Sequence, residues 1–208
     1  MCNPFGMDDY LIIANGLYEE EVIRSLSPGR IIIALDGAAN NLTDIQPDFI
    51  VGDFDSITKE TREKYEPLLI KIEDQASTDL KKGIAFAKER GAKSIAICCA
   101  LYGARSDHSL TNLSLLKSVY DPNCPIILHT ATEEIRFLQN ETYSFKGTIG
   151  AKCGFFGWPK AIVTTKGLVW DVEKWETEVG KKISSSNELK ESKVKIEVEG
   201  DLLLISPK

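Results

Sequence analysis

The first 130 residues alternate short apolar runs with segments of helical periodicity, and this alternation restricts the fold more than any other feature of the sequence. The apolar runs that we interpret as strands are YLIIANG, RIIIALDG, DFIVGDFDS, LLIKIED, KSIAICCAL and PIILHT. Between them lie the helical segments YEEEVIRSL, KETREKYEPL, TDLKKGIAFAKERGA and SLTNLSLLKSVYD. Strands that alternate with helices indicate βαβ units, whose parallel strands form a sheet covered by helices on both faces. Residues 1–130 are therefore predicted to form an α/β domain with a mostly parallel sheet.

From about residue 131 the pattern changes to short strand-like segments separated by glycine, proline or polar residues. These segments are EEIRFLQ, TYSFKG, KCGFFGW, AIVTTKGLVWDV and VKIEVEGDLLLISPK. The polar run KKISSSN is expected to be a loop. Because no helix of ordinary length is needed, residues 131–208 are predicted to form a smaller all-β domain, a sandwich or a half-barrel.

Composition argues against several classes of function. The net charge is −6, and no cluster of Lys and Arg could follow a phosphate backbone, so we expect no nucleic-acid partner. No apolar run reaches the roughly 18 residues of a membrane span, and MCNPFGMDDY lacks the features of a signal peptide. The five cysteines are odd in number and lack CxxC spacing, which argues against a zinc site or a disulfide framework. We therefore expect a cytoplasmic protein with no membrane partner.

Aspartates follow four of the predicted strands. Asp36 follows IIIAL, Asp53 and Asp55 follow FIV, Asp79 follows LLIKI, and Asp107 follows IAICCAL. The carboxyl ends of parallel strands meet at one edge of the sheet, where open α/β proteins bind their ligands. These side chains are therefore expected to converge on one crevice.

The segment GDFD carries the strongest indication of a metal site. If it is extended, Asp53 and Asp55 point to the same side, with Cα atoms roughly 6 to 7 Å apart. Such carboxylates repel each other unless a cation lies between them, and Mg²⁺ prefers oxygen ligands together with water and phosphate. Helix capping is the alternative that would suffice for Asp79 or Asp107 taken alone. Taken together, the acids favour Mg²⁺ binding.

Common phosphate-binding motifs are missing from the sequence. It contains neither GxxxxGK[ST] nor GxGxxG, and no kinase-type HRD or DFG segment. Phosphate binding would therefore depend on Mg²⁺, on helix N-termini and on a few basic side chains, of which Arg105 and Lys82 are best placed. The alternative for Lys82 is a solvated face of its helix. His108 is expected to line or cap the crevice rather than to act as a base.

Several segments of the chain resemble the thiamin pyrophosphokinase family in sequence and in order. They are DGAAN, QPDFIVGDFDSI, DQASTDLKKGI, GARSDHSLTNL, AIVTTKGLVWDV and ISSSN, and they extend over nearly the whole chain. The resemblance implies that a pyrophosphoryl group is transferred from ATP to thiamin, giving thiamin diphosphate and AMP. It also implies that residues 1–130 form an α/β nucleotide- and Mg²⁺-binding catalytic domain and residues 131–208 a thiamin-binding β-sandwich. A homodimer with active sites at the subunit interface is implied as well.

The same resemblance implies roles for individual residues. Asp53, Asp55 and Asp79 would hold Mg²⁺ with the ATP phosphates, and these three together with Asp107 would be the catalytic acids. The other residues expected to bind ATP or its phosphates are Asp36, Ser56, Thr78, Lys82, Arg105 and His108. The residues expected to bind thiamin are Gln75, Ser184, Ser186 and Asn187. Either Asp79 or Asp107 would accept the proton of the thiamin hydroxyl.

The chain also departs from the family at several positions. Ala38 and Ala104 stand where the family commonly has glycine, and the added methyl groups would narrow the approach of the backbone to phosphate. Just after ISSSN, the family often has an aromatic residue or a glycine, and this chain has ELKES. Trp158, Trp170 and Phe156 are candidates for stacking on thiamin, although aromatic residues in strands more often belong to the core.

Other functions remain compatible with these residues. A pyrophosphokinase that acts on another hydroxymethyl heterocycle, such as a pterin, would need the same acids. A non-catalytic sensor of nucleotide or thiamin would keep the fold but would have little need for the complete acidic set. A generic divalent-metal phosphohydrolase would release phosphate without an acceptor.

Overall fold

The structure is a computed structural model that describes residues 9–74 and 76–208. The chain divides into two compact units, with the boundary between residues 131 and 132. No helix in the described ranges is long and apolar enough to cross a membrane.

The described residues of the first unit, 9–74 and 76–131, form six strands and four α-helices. In chain order these are β1 (Asp9–Ile13), α1 (Glu20–Leu26), β2 (Ile31–Leu35), β3 (Phe49–Gly52), α2 (Lys59–Lys64), β4 (Leu69–Lys71), α3 (Asp79–Glu89), β5 (Ser94–Cys98), α4 (Ser106–Val119) and β6 (Ile126–His129). Two short 3₁₀ helices, Asp36–Asn41 and Glu66–Leu68, follow β2 and α2.

The six strands form one parallel sheet in the order β6-β5-β1-β2-β3-β4. On one face, Val22 and Ile23 of α1 share a buried cluster with Leu11 and Ile13 of β1. On the other face, α3 packs on β1, β2 and β3. The predicted parallel sheet with helices on both faces is therefore confirmed.

Helix α3 contacts the sheet through a glycine, which leaves no room for a side chain at that point. A Cβ atom at Gly83 would lie only 2.7 Å from Cδ2 of Leu35. The helix begins after Thr78, whose side chain accepts a hydrogen bond from the amide of Lys81 at 3.3 Å. It is followed by Gly91, whose φ of +82° ends the helical path. These features fix the height and the start of α3 above the sheet.

Two predicted boundaries in the first unit were wrong, and one short helix was not predicted. The strand in RIIIALDG ends at Leu35, as expected from the position of Asp36 after IIIAL, but Asp36 then begins a 3₁₀ helix that the sequence pattern did not indicate. The helix in KETREKYEPL ends at Lys64, before Pro67, which lies in a separate 3₁₀ helix. Helix α4 begins at Ser106, three residues earlier than predicted. The prediction missed its first turn because the residues there are polar and resemble a loop.

The second unit contains six antiparallel strands. In chain order these are β7 (Glu133–Gln139), β8 (Thr142–Lys146), β9 (Lys152–Lys166), β10 (Trp175–Glu178), β11 (Ser184–Glu188) and β12 (Lys193–Pro207). The two longest strands, β9 and β12, pair with each other along most of their length. One half of this long pair is flanked by β8 and β10, and the other half by β7 and β11.

A bend in the long pair lets its two halves face each other. The register of β9 and β12 shifts between Gly200 and Leu202, and Gly200 has a φ of +97°. A Cβ atom at Gly200 would lie 2.9 Å from the carbonyl oxygen of Lys160, so a glycine is required there. Side chains from both halves, such as Phe155 and Val163, join one buried cluster. The predicted all-β sandwich is confirmed.

The prediction that KKISSSN is a loop was wrong. Ser184–Glu188 forms β11, which pairs with β9 in the described chain. Polar side chains are tolerated there because Ser185 and Ser186 are exposed, and the register shift before Asn187 marks a bulge. The segment AIVTTKGLVWDV is a strand only as far as Lys166, and β10 was not predicted.

Candidate active site

A cleft of about 600 Å³ opens at the carboxyl edge of the parallel sheet in the first unit. Residues that follow four adjacent strands line it: Ala100 after β5, Asn15 after β1, Asp36 after β2 and Asp53 after β3. In the sheet, β1 has β2 on one side and β5 on the other, so the order of the strands reverses direction at β1. Open α/β sheets bind their ligands at such a reversal.

The cleft brings together most of the residues predicted from the sequence. Its lining includes Asp36, Asp53, Ser56, Thr78, Asp79, Lys82, Arg105, Asp107 and His108. Asp55 lies beside it, in a smaller depression of about 320 Å³ that also contains Lys71 and Glu73. Residues from separate strand ends thus meet at one edge of the sheet, and their individual roles stay predictions.

Three carboxylates form a cluster in this region. Asp36, Asp53 and Asp55 each place an oxygen atom within 4.8 Å of the other two. The metal ligands predicted from the sequence were Asp53, Asp55 and Asp79. The observed cluster therefore contains Asp36 where the prediction had Asp79. Asp79 instead contacts the cluster through Lys82, whose Nζ atom bonds to both Asp79 and Asp53.

The extended geometry predicted for GDFD was wrong, although the two carboxylates do lie close together. The chain leaves β3 at Gly52 and bends, and Phe54 takes a φ of +67°. The turn packs Phe54 against the core of the sheet and leaves Asp53 half-buried and Asp55 exposed. The amide of Asp55 donates to Oδ1 of Asp53 at 3.4 Å.

Asn40 holds this bend in place, a role that the sequence analysis missed. Its Nδ2 atom donates to the carbonyl of Ser56 at 2.9 Å, and its Oδ1 atom accepts from the amide of Thr58 at 3.0 Å. The only signal in the sequence was the position of Asn40 within DGAAN.

Asp36 is the most buried acid of the cluster. Its residue is 2% exposed, and its Oδ2 atom accepts from the amide of Ser56 at 3.3 Å. Its Oδ1 atom is buried and has no hydrogen-bond partner in the described chain. Burial raises the pKa of the Asp36 carboxyl to about 6, and the charges of Asp79 and Asp55 add to the rise.

The donor set of the cluster fits a hard divalent cation. An unpartnered, buried carboxylate oxygen is costly unless a positive charge meets it. Here that oxygen belongs to a residue whose carboxylate is grouped with two others. All three groups offer oxygen, the ligand atom that Mg²⁺ prefers.

Lys82 is buried beneath the cleft, so the alternative of a solvated helix face is wrong. Its side chain is 2% exposed, and its Nζ atom lies 3.3 Å from Oδ2 of Asp53 and 3.0 Å from Oδ1 of Asp79. Burial lowers the pKa of the Lys82 ammonium, but its hydrogen bonds with the two aspartates outweigh this effect and the pKa is raised overall. Because Thr78 provides the side-chain cap of α3, capping does not account for Asp79.

Arg105 and Asp107 form an exposed ion pair at the cleft. The Nη2 atom of Arg105 lies 2.5 Å from Oδ2 of Asp107, and its Nε atom donates to Oδ1 at 3.1 Å. This hydrogen-bonded pairing lowers the pKa of Asp107. His108 is exposed in the first turn of α4.

The two alanines that replace family glycines occupy different environments. Ala38 is 2% exposed and belongs to the hydrophobic core, so its methyl group points away from the cleft. Ala104 lines the cleft. Only Ala104 is therefore in a position to narrow the approach to a phosphate.

Two asparagines of the cleft were also missed by the sequence analysis. Asn15 follows β1 in the segment ANG, and Asn112 lies on α4 within GARSDHSLTNL. The Nδ2 atom of Asn112 donates to the carbonyl of Ala100 at 2.8 Å, which ties α4 to the end of β5.

The predicted thiamin-binding residues of the second unit lie on β11. Ser184 is half-buried, Ser186 is exposed, and Asn187 is 3% exposed. Gln75 lies outside the described residues. Among the aromatic candidates, Trp170 is 58% exposed, whereas Phe156 and Trp158 are half-buried.

Fold and site together define an α/β protein with an acid-rich cleft at the carboxyl edge of a parallel sheet, followed in the chain by an all-β unit. The family model described as the thiamin pyrophosphokinase catalytic domain matches residues 24–128, and the model described as the thiamin pyrophosphokinase vitamin B1 binding domain matches residues 134–203. The chain belongs to the thiamin pyrophosphokinase family.

Individual relatives agree with this assignment. Thiamine pyrophosphokinase 1 of Arabidopsis thaliana is 34% identical over 174 residues, which cover 76% of this chain and 64% of the relative. Thiamine pyrophosphokinase 1 of Oryza sativa subsp. japonica is 32% identical over 208 residues, covering 84% of this chain and 77% of the relative. The chain thus spans less than two thirds of the length of the Arabidopsis relative.

A solved structure shows the same fold. The crystal structure of thiamine pyrophosphokinase from Bacillus subtilis superposes with a TM-score of 0.84 and covers 96% of this chain and 99% of that chain. The two sequences are 24% identical. At that identity, the likeness establishes the fold.

Proposed function

We propose that this chain transfers a pyrophosphoryl group from ATP to thiamin, giving thiamin diphosphate and AMP. The observation that carries the proposal is the carboxylate cluster of Asp36, Asp53 and Asp55 beside the buried ammonium of Lys82. The matched descriptions of a catalytic domain and of a vitamin B1 binding domain support it.

The charge of the cleft supports a requirement for a divalent cation, and we propose Mg²⁺. The aspartates of the cluster and of the cleft outnumber the basic side chains Lys82 and Arg105. A triphosphate would be repelled by this surface without added positive charge. Asp36, Asp53 and Asp55 would hold the ion, which when bound neutralises charge on the phosphate oxygens and polarises the phosphoryl group.

Each of the basic residues has its own task in this proposal. Lys82 holds the carboxylates of Asp53 and Asp79 in fixed positions, because its ammonium bonds to both. Arg105 offers five N–H donors, of which two bond to Asp107, so the guanidinium keeps donors for phosphate oxygens. Both contributions are positioning and charge neutralisation, which account for most of the catalysis of phosphoryl transfer.

In the reaction that we propose, the hydroxyl of thiamin attacks the β-phosphorus of ATP in line, and AMP leaves. The hydroxyl proton passes to a nearby carboxylate. Asp107 is a weak candidate because Arg105 lowers its pKa. We propose Asp79, which lines the same cleft, as the acceptor. The acidic cleft also suits thiamin, whose thiazolium ring is a fixed cation.

The second unit would supply the thiamin-binding surface. Trp170 is the most exposed of the three aromatic candidates, and it lies in the region that matches the vitamin B1 binding domain. We propose that its indole stacks on a ring of thiamin, an interaction favoured by the positive charge of the thiazolium. A homodimer with active sites at the subunit interface and a cytoplasmic location are parts of the same proposal.

A product assay tests the reaction. The protein is incubated with ATP, Mg²⁺ and thiamin, and the nucleotides and thiamin esters are separated by chromatography, with omission of thiamin as the control. AMP with thiamin diphosphate is the expected result. ADP with thiamin monophosphate would refute the proposal. Equal turnover of a hydroxymethylpterin in competition would favour the pterin alternative.

Two variants test the carboxylate cluster. Asp53→Asn and Asp55→Asn are each expected to nearly abolish turnover and to weaken Mn²⁺ binding measured by electron paramagnetic resonance. The matched control is Asp44→Asn, because Asp44 is 72% exposed and pairs with Arg24 on the surface. Near-normal turnover and Mn²⁺ binding in both variants would exclude their role as ligands.

A further inference from the structure

The amide of Asn187 is used almost entirely inside the protein. Its Oδ1 atom accepts from the amide of Trp170 at 3.2 Å and from the amide of Glu188 at 2.9 Å. Its Nδ2 atom donates to the carbonyl of Trp170 at 2.9 Å. Three of the four hydrogen-bonding positions of the side chain are thus occupied, and the residue is 3% exposed. Little of Asn187 is left to meet a ligand.

A second side chain fixes the same turn from its other end. Asp171 accepts hydrogen bonds from the hydroxyl of Thr165 at 3.0 Å, from the amide of Gly167 at 3.2 Å and from the amide of Leu168 at 3.1 Å. Leu168 is buried and forms a β-bridge with Leu189. The turn of residues 167–172 is therefore attached to the sandwich on both sides of Trp170.

The side chain of Trp170 is exposed, although hydrogen bonds hold the backbone of the turn that carries it. Asn187 holds both its backbone amide and its carbonyl, yet 58% of the residue is exposed. The backbone that carries this exposed apolar ring is already held by hydrogen bonds. A ligand that stacks on the ring would therefore not have to order that backbone, and binding would cost less entropy.

We propose that Asn187 is a positioning residue that acts through Trp170, with Asp171 as its counterpart at the other end of the turn, and that it does not bind thiamin itself. The inference rests on the proposed function, because it takes thiamin as the ligand of Trp170. It differs from the role implied by the family resemblance, in which Asn187 contacts thiamin directly.

A double-mutant cycle separates the two roles. The variants are Asn187→Ala, Trp170→Ala and the combination of both, with Ser185→Ala as the matched control, since Ser185 is an exposed residue of the same strand. Asn187→Ala is expected to raise the KM for thiamin by about tenfold, the size of a lost aromatic stack. Its kcat and its KM for ATP are expected to stay within about twofold, because the cleft of the first unit is untouched.

The decisive comparison is made in the Trp170→Ala background. If Asn187 acts through Trp170, adding Asn187→Ala there should change the KM for thiamin by less than about twofold. A further rise of about tenfold would show that Asn187 contributes independently of Trp170, and it would overturn the inference. An unchanged KM in the single variant Asn187→Ala would overturn it as well.

Spectroscopy gives a readout that does not depend on turnover. In protein labelled with 5-fluorotryptophan, the ¹⁹F resonance of Trp170 is assigned from its loss in Trp170→Phe. Asn187→Ala should shift or broaden this resonance in the free protein and should weaken its response to added thiamin. A resonance identical to that of the unsubstituted protein would contradict the inference.

Further measurements distinguish failure of this inference from misfolding of a variant and from failure of the proposed function. If Asn187→Ala does not fold, Asp171→Asn provides the second test with the same readouts. If the variants instead dissociate an oligomer, as measured by light scattering, Trp170 is a subunit contact and the inference fails. If the unsubstituted protein makes no thiamin diphosphate, the proposed function fails, while the dissociation constant for thiamin from ¹⁹F titration still tests the role of Asn187.

Discussion

A single methyl group at Gly52 is expected to disable the cleft while the fold survives. Gly52 is the last residue of β3, and a Cβ atom there would lie 2.8 Å from Cβ of Asp36. Carbon atoms in ordinary contact are separated by about 3.5 Å or more, so Asp36 would have to move by about 0.7 Å. It has little room to do so, because it is 2% exposed and its backbone φ of +27° is already strained.

The size of the effect follows from this overlap. Overpacking in a well-packed interior costs about 1 to 3 kcal/mol, which a domain of ordinary stability survives. A displacement approaching 1 Å in a catalytic group costs on the order of 100-fold in rate. Gly52→Ala is therefore expected to lower kcat/KM by about 100-fold, or about 2.7 kcal/mol of transition-state stabilisation.

Gly91→Ala is the matched control for this experiment. Gly91 follows α3 with a φ of +82°, and a Cβ atom there would meet no atom within 4 Å. An alanine in this conformation costs about 1 to 2 kcal/mol of stability without touching the cleft. Thermal unfolding should thus show a similar loss for both variants, while formation of thiamin diphosphate should fall only in Gly52→Ala. A folded Gly52→Ala protein with near-normal kcat/KM would refute the reasoning.

Three other changes have defined outcomes. Lys82→Met leaves the carboxylates of Asp53 and Asp79 without their shared cation. It should therefore lower the free energy of unfolding, measured in urea, by about 2 kcal/mol and lower turnover by at least about 100-fold. An unchanged free energy of unfolding would contradict this expectation. Thr78→Ala should cost about 1 kcal/mol in thermal unfolding, since it removes the N-cap of α3. Burial raises the pKa of the Cys153 thiol from 9.0 to about 11, so the folded state holds this proton more tightly than the unfolded chain. The resulting stability is complete below pH 9 and is lost as the pH rises towards 11, by roughly 2 to 3 kcal/mol, and urea unfolding of Cys153→Ala should lack this loss.

The fold was largely predictable because hydrophobic periodicity reports directly on burial. The runs around Ile33 and Ile97 are buried on both faces of the sheet, and each read as a continuous apolar strand. The β11 strand was missed because it is a polar strand with an exposed bulge at Ser186, so its hydrogen bonds with β9 left no apolar signature. Pairing between distant segments is invisible to a local pattern.

The convergence of the acids was predictable, but their individual environments were not. The parallel arrangement of the strands brings Asp36 and Asp53 to one edge of the sheet, and this does not depend on the conformation of their side chains. The burial of Lys82 depends on how closely α3 approaches the sheet, which Gly83 decides through a contact with Leu35. The bend at Phe54 likewise depends on a left-handed backbone conformation, which a phenylalanine in the sequence does not predict.

The continuity of β9 and β12 through both halves of the sandwich restricts how this domain can vary in length. Side chains alternate between the two faces of a strand, so one residue inserted into β9 would exchange inward and outward positions in all of the strand beyond it. The same holds for β12, which pairs with β7, β8 and β9. Insertions and deletions should therefore fall in the connections between strands, and homologous sequences should align across Lys152–Lys166 and Lys193–Pro207 without gaps, except at the bulge near Gly200.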